Sequence, residues 1–288
     1  MCTSVFLKSG FFGRTLDYET SFGEEVLFSP RDSFRFGQAD NRYSMIGVGV
    51  MRGKTPMYFD GMNEFGLCAA TLNFPGEAHY SDGEGIPSGE LIGFVLGFCR
   101  STDEARSAIE NLGIVSSKEF APLHWMIADK RSAIVVESTK DGLFIHENLV
   151  GILTNSPDFK NQLANLSDFS GLSPHSLTVR GDSAVGLPGD FTSMSRFVRG
   201  AFMLENSLSD DTPYGELCRI IHLLDALSLP LGVTLSERGE PISTRYISAM
   251  DMESLTYYYK TYDGLNLKSQ ILHPECEESK SYPLYEND

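Results

Sequence analysis

Met1-Cys2-Thr3-Ser4-Val5-Phe6-Leu7, then Lys8-Ser9-Gly10, then Phe11-Phe12-Gly13-Arg14, is the stretch that decides how this chain is read. Cysteine at position two is a small residue behind an initiator methionine, so Met1 can be trimmed. Trimming exposes a thiol and a free α-amine on one residue. A free amine titrates near ~8 and a free thiol near ~8.5, so a nucleophile and its own base can share one residue. Residues 2–7 are β-branched and apolar and predict a strand. The Lys-Ser-Gly turn and the apolar run after it predict a hairpin that returns Arg14 toward Cys2.

The segment Gly13-Arg14-Thr15-Leu16-Asp17 places a cation and a carboxylate three apart beside that strand. They read either as a surface ion pair or as site groups. In the second reading the guanidinium favours a thiolate and lowers a thiol's pKa, while the carboxylate holds the new α-amine.

Further strands are expected at 26–29, 44–51, 58–59 and 67–72. The pattern then turns helical. Ser88 is an N-cap ahead of Leu91, Phe94, Val95 and Phe98, and Thr102-Asp103-Glu104 opens a second helix carrying Ala105, Ala108, Ile109 and Leu112. Strands return at 123–127, 133–137, 143–146 and 151–155. A loop-rich segment is expected from there to Asp190. Two more helices follow, one from Ser193 or Ser195 and one near Pro213, and then strands at 244–250 and 255–262. Blocks of strands and helices, without single βαβ units, predict an α+β layer architecture of mainly antiparallel sheets. With no repeat and no linker visible, residues 1–288 read as one domain. The tail from Pro274, covering 274–288, reads as polar surface.

Apolar content of 41% and charged content of 22% are globular values. A formal net charge of −16 argues against nucleic acid or an anionic membrane as partner. The cysteines at 2, 68, 99, 218 and 276 are odd in number and lack CxxC spacing. That argues against a disulfide framework and against a zinc site, and a reducing cytoplasm is the expected setting. Residues 1–30 show no signal-peptide pattern, and the apolar run 91–99 is too short to span a bilayer. No HExxH spacing, GxSxG elbow or phosphate loop occurs.

Asn73 and Asn155 each end a strand before a proline-containing loop. They serve as turn closers or as neutral donors to an oxyanion. Arg196 opens a helix, where it either snorkels or adds a second positive charge to the site. His124, beside the only tryptophan, reads as a core or pocket-wall residue.

Several blocks together resemble one family. They are Met1-Cys2-Thr3; Phe12-Gly13-Arg14 with Asp17; Asp60-Gly61-Met62-Asn63-Glu64; Leu72-Asn73-Phe74-Pro75-Gly76; Leu123-His124-Trp125-Met126; Leu153-Thr154-Asn155-Ser156-Pro157; and Gly186-Leu187-Pro188-Gly189-Asp190 leading to Ser195-Arg196-Phe197. Their order is similar to that of the choloylglycine hydrolase family, which contains bile salt hydrolases and penicillin V acylases. The resemblance implies an N-terminal nucleophile hydrolase with a four-layer αββα sandwich. It implies Cys2 as nucleophile once Met1 has gone, Arg14 and Arg196 lining the thiolate, Asp17 orienting the α-amine, and Asn73 and Asn155 binding the oxyanion. No metal or organic cofactor is implied.

The implied reaction is hydrolysis of glycine- or taurine-conjugated bile salts, with Leu16, Phe59 and Phe65 as expected walls of an apolar pocket. An asparagine at position 73 is the more usual choice among bile salt hydrolases. Family members assemble as homo-oligomers, tetramers or dimers, through the segment after Asn155, which is short in this chain. The loop between Met51 and Phe59, which borders the substrate pocket in relatives, is compact. Two rival expectations stand beside this one. The first is the same chemistry on penicillin V, an N-acyl amino acid or a lactone. The second is a catalytically silent binding protein, which predicts a retained Met1.

Overall fold

The opening hairpin forms as its sequence demands. In the computed structural model, which describes residues 1–117, 121–172, 177–178, 181–182, 184–209 and 211–285, β1 (Cys2–Leu7) pairs with β2 (Phe11–Tyr18), Cys2 opposite Leu16 and Ser4 opposite Arg14. Gly10 makes the turn at φ +95°, a left-handed conformation that glycine reaches without steric cost. Arg14 is thereby returned to the strand that carries Cys2.

The next strands are β3 (Glu25–Ser29), β4 (Met45–Arg52), β5 (Thr55–Asn63) and β6 (Cys68–Asn73). After α1 (Leu91–Phe98) and α2 (Thr102–Leu112) come β7 (Leu123–Ala128), β8 (Ala133–Thr139), β9 (Gly142–Glu147) and β10 (Ile152–Leu153). Helices α3 (Phe159–Ser167), α4 (Ser193–Asn206) and α5 (Pro213–Leu227) follow. The chain ends with β11 (Pro241–Asp251), β12 (Thr256–Thr261), β13 (Lys268–Ile271) and β14 (Lys280–Pro283).

Two antiparallel sheets result. One runs β10-β1-β2-β11-β12-β13, and the other runs β9-β8-β7-β6-β5-β4-β3-β14. Both faces of each sheet are covered, so their central strands are buried along almost their whole length, polar residues included. Alternation along β7 divides them: Met126 and Ala128 join the core between the sheets, whereas Trp125 and Ile127 join the core under α1 and α2. Helices α4 and α5 cover the outer face of the first sheet. Gly13 is needed there, because a Cβ would lie 2.6 Å from the Ser248 carbonyl oxygen and 2.8 Å from Leu224 of α5. The molecule is a four-layer αββα sandwich.

Two expectations are corrected. The segment after Asn155 contains α3, whose N-cap Asp158 accepts from the Asn161 amide at 2.8 Å and whose Phe159 and Gln162 are buried. The tail beyond Pro274 is not all loose surface. Residues 280–283 form β14, which adds to the sheet alongside β3 as its edge strand, Leu284 is buried, and the Tyr285 hydroxyl bonds Glu24. Among the described residues no helix is long and apolar enough to cross a membrane, and no group of metal-ligating side chains occurs.

Candidate active site

Cys2 is buried at the start of β1, on the face that looks toward the second sheet. The Arg14 guanidinium is also buried and makes three divergent bonds: Nε to the Thr15 carbonyl (3.1 Å), Nη1 to the Phe59 carbonyl (3.2 Å) and Nη2 to Cys2 Sγ (2.9 Å). The Phe59 carbonyl is available because of a β-bulge. Between β4 and β5 the register jumps from Val48–Asp60 to Gly49–Tyr58, leaving Phe59 without a partner on β4. Bulges of this kind re-aim backbone groups beside functional sites. Burial alone would weaken the Arg14 cation, but Tyr246, Cys2, Asp60 and Asp17 outweigh it and hold its pKa above the ordinary value.

Asp17 lies on the opposite, helix-facing side of β2. Its carboxylate accepts from the hydroxyls of Thr244 (2.6 Å) and Thr15 (3.2 Å). Its backbone pairs with Met1: the Asp17 amide donates to the Met1 carbonyl at 2.9 Å, and the Met1 amine donates to the Asp17 carbonyl at 2.6 Å. The Cys2 amide donates to Asn155 Oδ1 at 3.0 Å.

Arg196 reaches this cluster from the first turn of α4, whose N-cap is Thr192. Its placement differs from the expectation that it lines the sulfur. Nη1 donates to the Cys2 carbonyl (2.7 Å) and the Thr3 hydroxyl (2.6 Å), and Nη2 donates to Asn155 Oδ1 (2.6 Å). It therefore fixes the Cys2 backbone and Asn155, while Arg14 alone meets Sγ. Burial lowers its pKa, against the pull of Asp17 and Cys2.

Asn155 joins the parts. Besides accepting from Cys2 and Arg196, it donates through Nδ2 to the Asn73 carbonyl at 2.8 Å. Its own backbone is clamped by residues that sequence reading missed. Gln162 of α3 donates to the Asn155 carbonyl (3.0 Å), and the Asn155 amide donates to the Ser193 hydroxyl (2.8 Å). His124 is buried behind this loop between Glu137 and the Thr154 carbonyl, stacked on Phe74. It is a core residue, one of the two readings its position beside Trp125 offers.

A cavity of about 470 Å³ opens at Cys2, within the range of small-molecule sites. Leu16, Tyr18, Phe22, Met51, Phe59 and Leu123 give it an apolar lining, and Asn73 stands at its edge. Phe22 packs edge-on against Phe59 at 5.5 Å. The β4–β5 hairpin contributes Val50, Met51 and Arg52, so the compact loop does border the cavity. Phe65 does not. It turns away at the Asn63–Gly66 bend and packs on Tyr43 and Arg100, which corrects its expected place in the pocket. A larger concavity of about 800 Å³ lies on the helix side near Leu149, Leu163 and Phe202. Cys2 is not among its lining residues, so volume does not choose the site.

A family model for linear amide C–N hydrolases of the choloylglycine hydrolase family matches residues 2–281. The chain belongs to that family. A bile salt hydrolase/transferase of Lactiplantibacillus plantarum is 40% identical over 314 aligned positions, covering 99% of this chain and 97% of the relative. One from Clostridium perfringens is 36% identical, covering 99% and 96%. A crystal structure of a variant of the conjugated bile acid hydrolase from Clostridium perfringens superposes with a TM-score of 0.88 at 33% identity, covering 98% of this chain and 96% of that one. A penicillin V acylase from Agrobacterium tumefaciens shares the fold, with a TM-score of 0.82 at 22% identity. The N-terminal nucleophile hydrolase architecture and the linear-amide hydrolase class follow from these matches.

Proposed function

We propose that this choloylglycine hydrolase family member hydrolyses the amide bond of glycine- or taurine-conjugated bile salts through Cys2, after removal of Met1. The observation that carries the reading is Cys2 Sγ on Arg14 at 2.9 Å, beside a cavity of about 470 Å³ that Leu16, Phe22, Met51 and Phe59 line in part. The names of the relatives point to the same substrate.

The thiol proton passes to the freed α-amine, and the thiolate attacks the amide carbonyl carbon. Asn155 gives one amide N–H to the Asn73 carbonyl, leaving its second N–H for the oxyanion, with Asn73 beside it. Asp17, anchored by Thr244 and Thr15, holds the α-amine. The α-amine then protonates the leaving glycine or taurine nitrogen as the C–N bond breaks. Water attacks the thioester, gives up its proton to the amine and releases the bile acid, restoring the thiol. Leu16 and Phe59 hold the acyl group. Five unpaired cysteines support a reducing, cytoplasmic setting. We take the protein to act as a homo-oligomer, which light scattering tests.

The test is a substrate panel. Release of glycine or taurine from bile conjugates is expected to exceed release of 6-aminopenicillanate from penicillin V. Cys2→Ala is expected to fold and show no turnover. Preference for penicillin V, or turnover by Cys2→Ala, contradicts the reading.

A further inference from the structure

Asp60 is a buried carboxylate for which the mechanism above has no use. It sits on β5 immediately after the Phe59 bulge, is inaccessible to solvent, and lies 3.7 Å from Arg14 Nη1, on the guanidinium that holds Cys2. Three hydroxyls donate to it from two other strands: Tyr246 to Oδ2 (2.6 Å), and Tyr257 (2.6 Å) and Ser248 (3.2 Å) to Oδ1. The Tyr246 ring also lies under the Arg14 guanidinium, 5.7 Å from its centroid. Arg14 is already located by the Thr15 and Phe59 carbonyls, so Asp60 is not required to aim it. What Asp60 adds is charge.

We propose that Asp60 is the resident counter-charge of Arg14 and a positioning residue for reactivity: it shares the buried cation with the Cys2 thiolate and so keeps that thiolate from being over-stabilised. The proposal rests on Cys2 being the nucleophile. A buried cation facing a single anion holds it tightly, and thiolate nucleophilicity falls as thiolate stability rises. A second anion on the far side of the guanidinium weakens that hold. The three hydroxyl donors suit an ionised carboxylate. Burial is the larger influence and holds the Asp60 carboxyl above its ordinary value, with Arg14 and the hydroxyls of Tyr246, Tyr257 and Ser248 pulling against that rise. The other ionisable groups around the pair are Cys2, Asp17, Tyr246, Tyr257 and Cys68.

The test follows iodoacetamide labelling of Cys2 against pH in the Met1-free protein, read on the N-terminal peptide by mass spectrometry, together with kcat. In Asp60→Asn the labelling midpoint is expected to move down by about one pH unit, while the plateau labelling rate and kcat fall about threefold. Because Asp60→Asn strands a buried cation, Tyr257→Phe is the second variant. It removes one hydroxyl that stabilises the carboxylate, and it is expected to shift the midpoint the same way by a smaller amount. An unchanged midpoint in a folded variant assigns Asp60 a structural role only and overturns the proposal. An upward shift means that Arg14 has left the sulfur and overturns it as well. Failure of the nucleophile assignment reads differently: Cys2→Ala would then turn over whatever Asp60 does.

Discussion

Arg14 Nη2 stands 2.9 Å from Cys2 Sγ, with Arg14 fully buried and Cys2 buried but lining the cavity. Twelve positions apart in sequence, they meet because β1 and β2 form one tight hairpin. Charge alone is not the whole of this contact, since the fork of Arg14 also reaches two backbone carbonyls. Arg14→Lys keeps the charge but cannot make three divergent bonds. It is expected to retain the fold, by circular dichroism and urea titration, and to lose about 10–100-fold in kcat.

Asn155 is a donor, an acceptor and a spacer at once. Asn155→Ala removes the acceptor for the Cys2 nitrogen and for Arg196 and the donor proposed for the oxyanion. A loss of about 10²–10³-fold in kcat, with a smaller change in KM, is expected from steady-state kinetics on a taurine conjugate.

Thiol chemistry should be selective. Burial, aided by Glu104, pushes the Cys99 thiol up to about 12, and burial raises Cys68 well above the usual range. At pH 8 the thiolate fraction at Cys99 is then about one in ten thousand. Native protein treated with iodoacetamide at pH 8 is expected to label at Cys2 while Cys68 and Cys99 stay unmodified by peptide mass. Unfolding in urea should expose both.

Asp190 ties the start of α4, and so Arg196, to the loop before it. Hydrogen bonds from Thr192 and Ser195 lower its carboxyl to about 2, against about 3.9 in an unfolded chain. A depressed folded value gives stability that is present above about pH 4 and is lost as pH falls toward about 2. The side chain is exposed, so the effect is small, at most about 1 kcal/mol. Asp190→Asn is expected to be slightly less stable than wild type in urea titrations at pH 7. The difference should vanish on acidification through that window.

The strand blocks of the first seventy residues and four of the five long helices are legible because their apolar residues recur at clean periods of two or 3.6. Helix α3 is harder to see. Phe159, Gln162, Leu163 and Leu166 keep helical spacing behind the Asp158 cap, but the run is short and polar and follows Pro157. Strand β14 hides in a charged tail because, as an edge strand, most of its residues are exposed. The hairpin brings Arg14 to Cys2, but the residues alone read equally as a surface ion pair, and the order of the other blocks is what singles out Cys2, Arg14 and Asp17. The Asp60 cluster cannot, since its tyrosine partners lie 186 and 197 positions away. Phe65 misleads because nearness to Phe59 in sequence says nothing about the bend between them.

The most direct test of the central claim joins two readings on one sample: intact mass and product release. Expressed protein is expected to weigh one methionine less than the encoded chain and to release glycine or taurine from conjugated bile salts. A variant blocked from losing Met1 is expected to be inactive. A chain that keeps Met1 and still turns over bile conjugates would contradict the account, as would a Met1-free chain that releases neither amine.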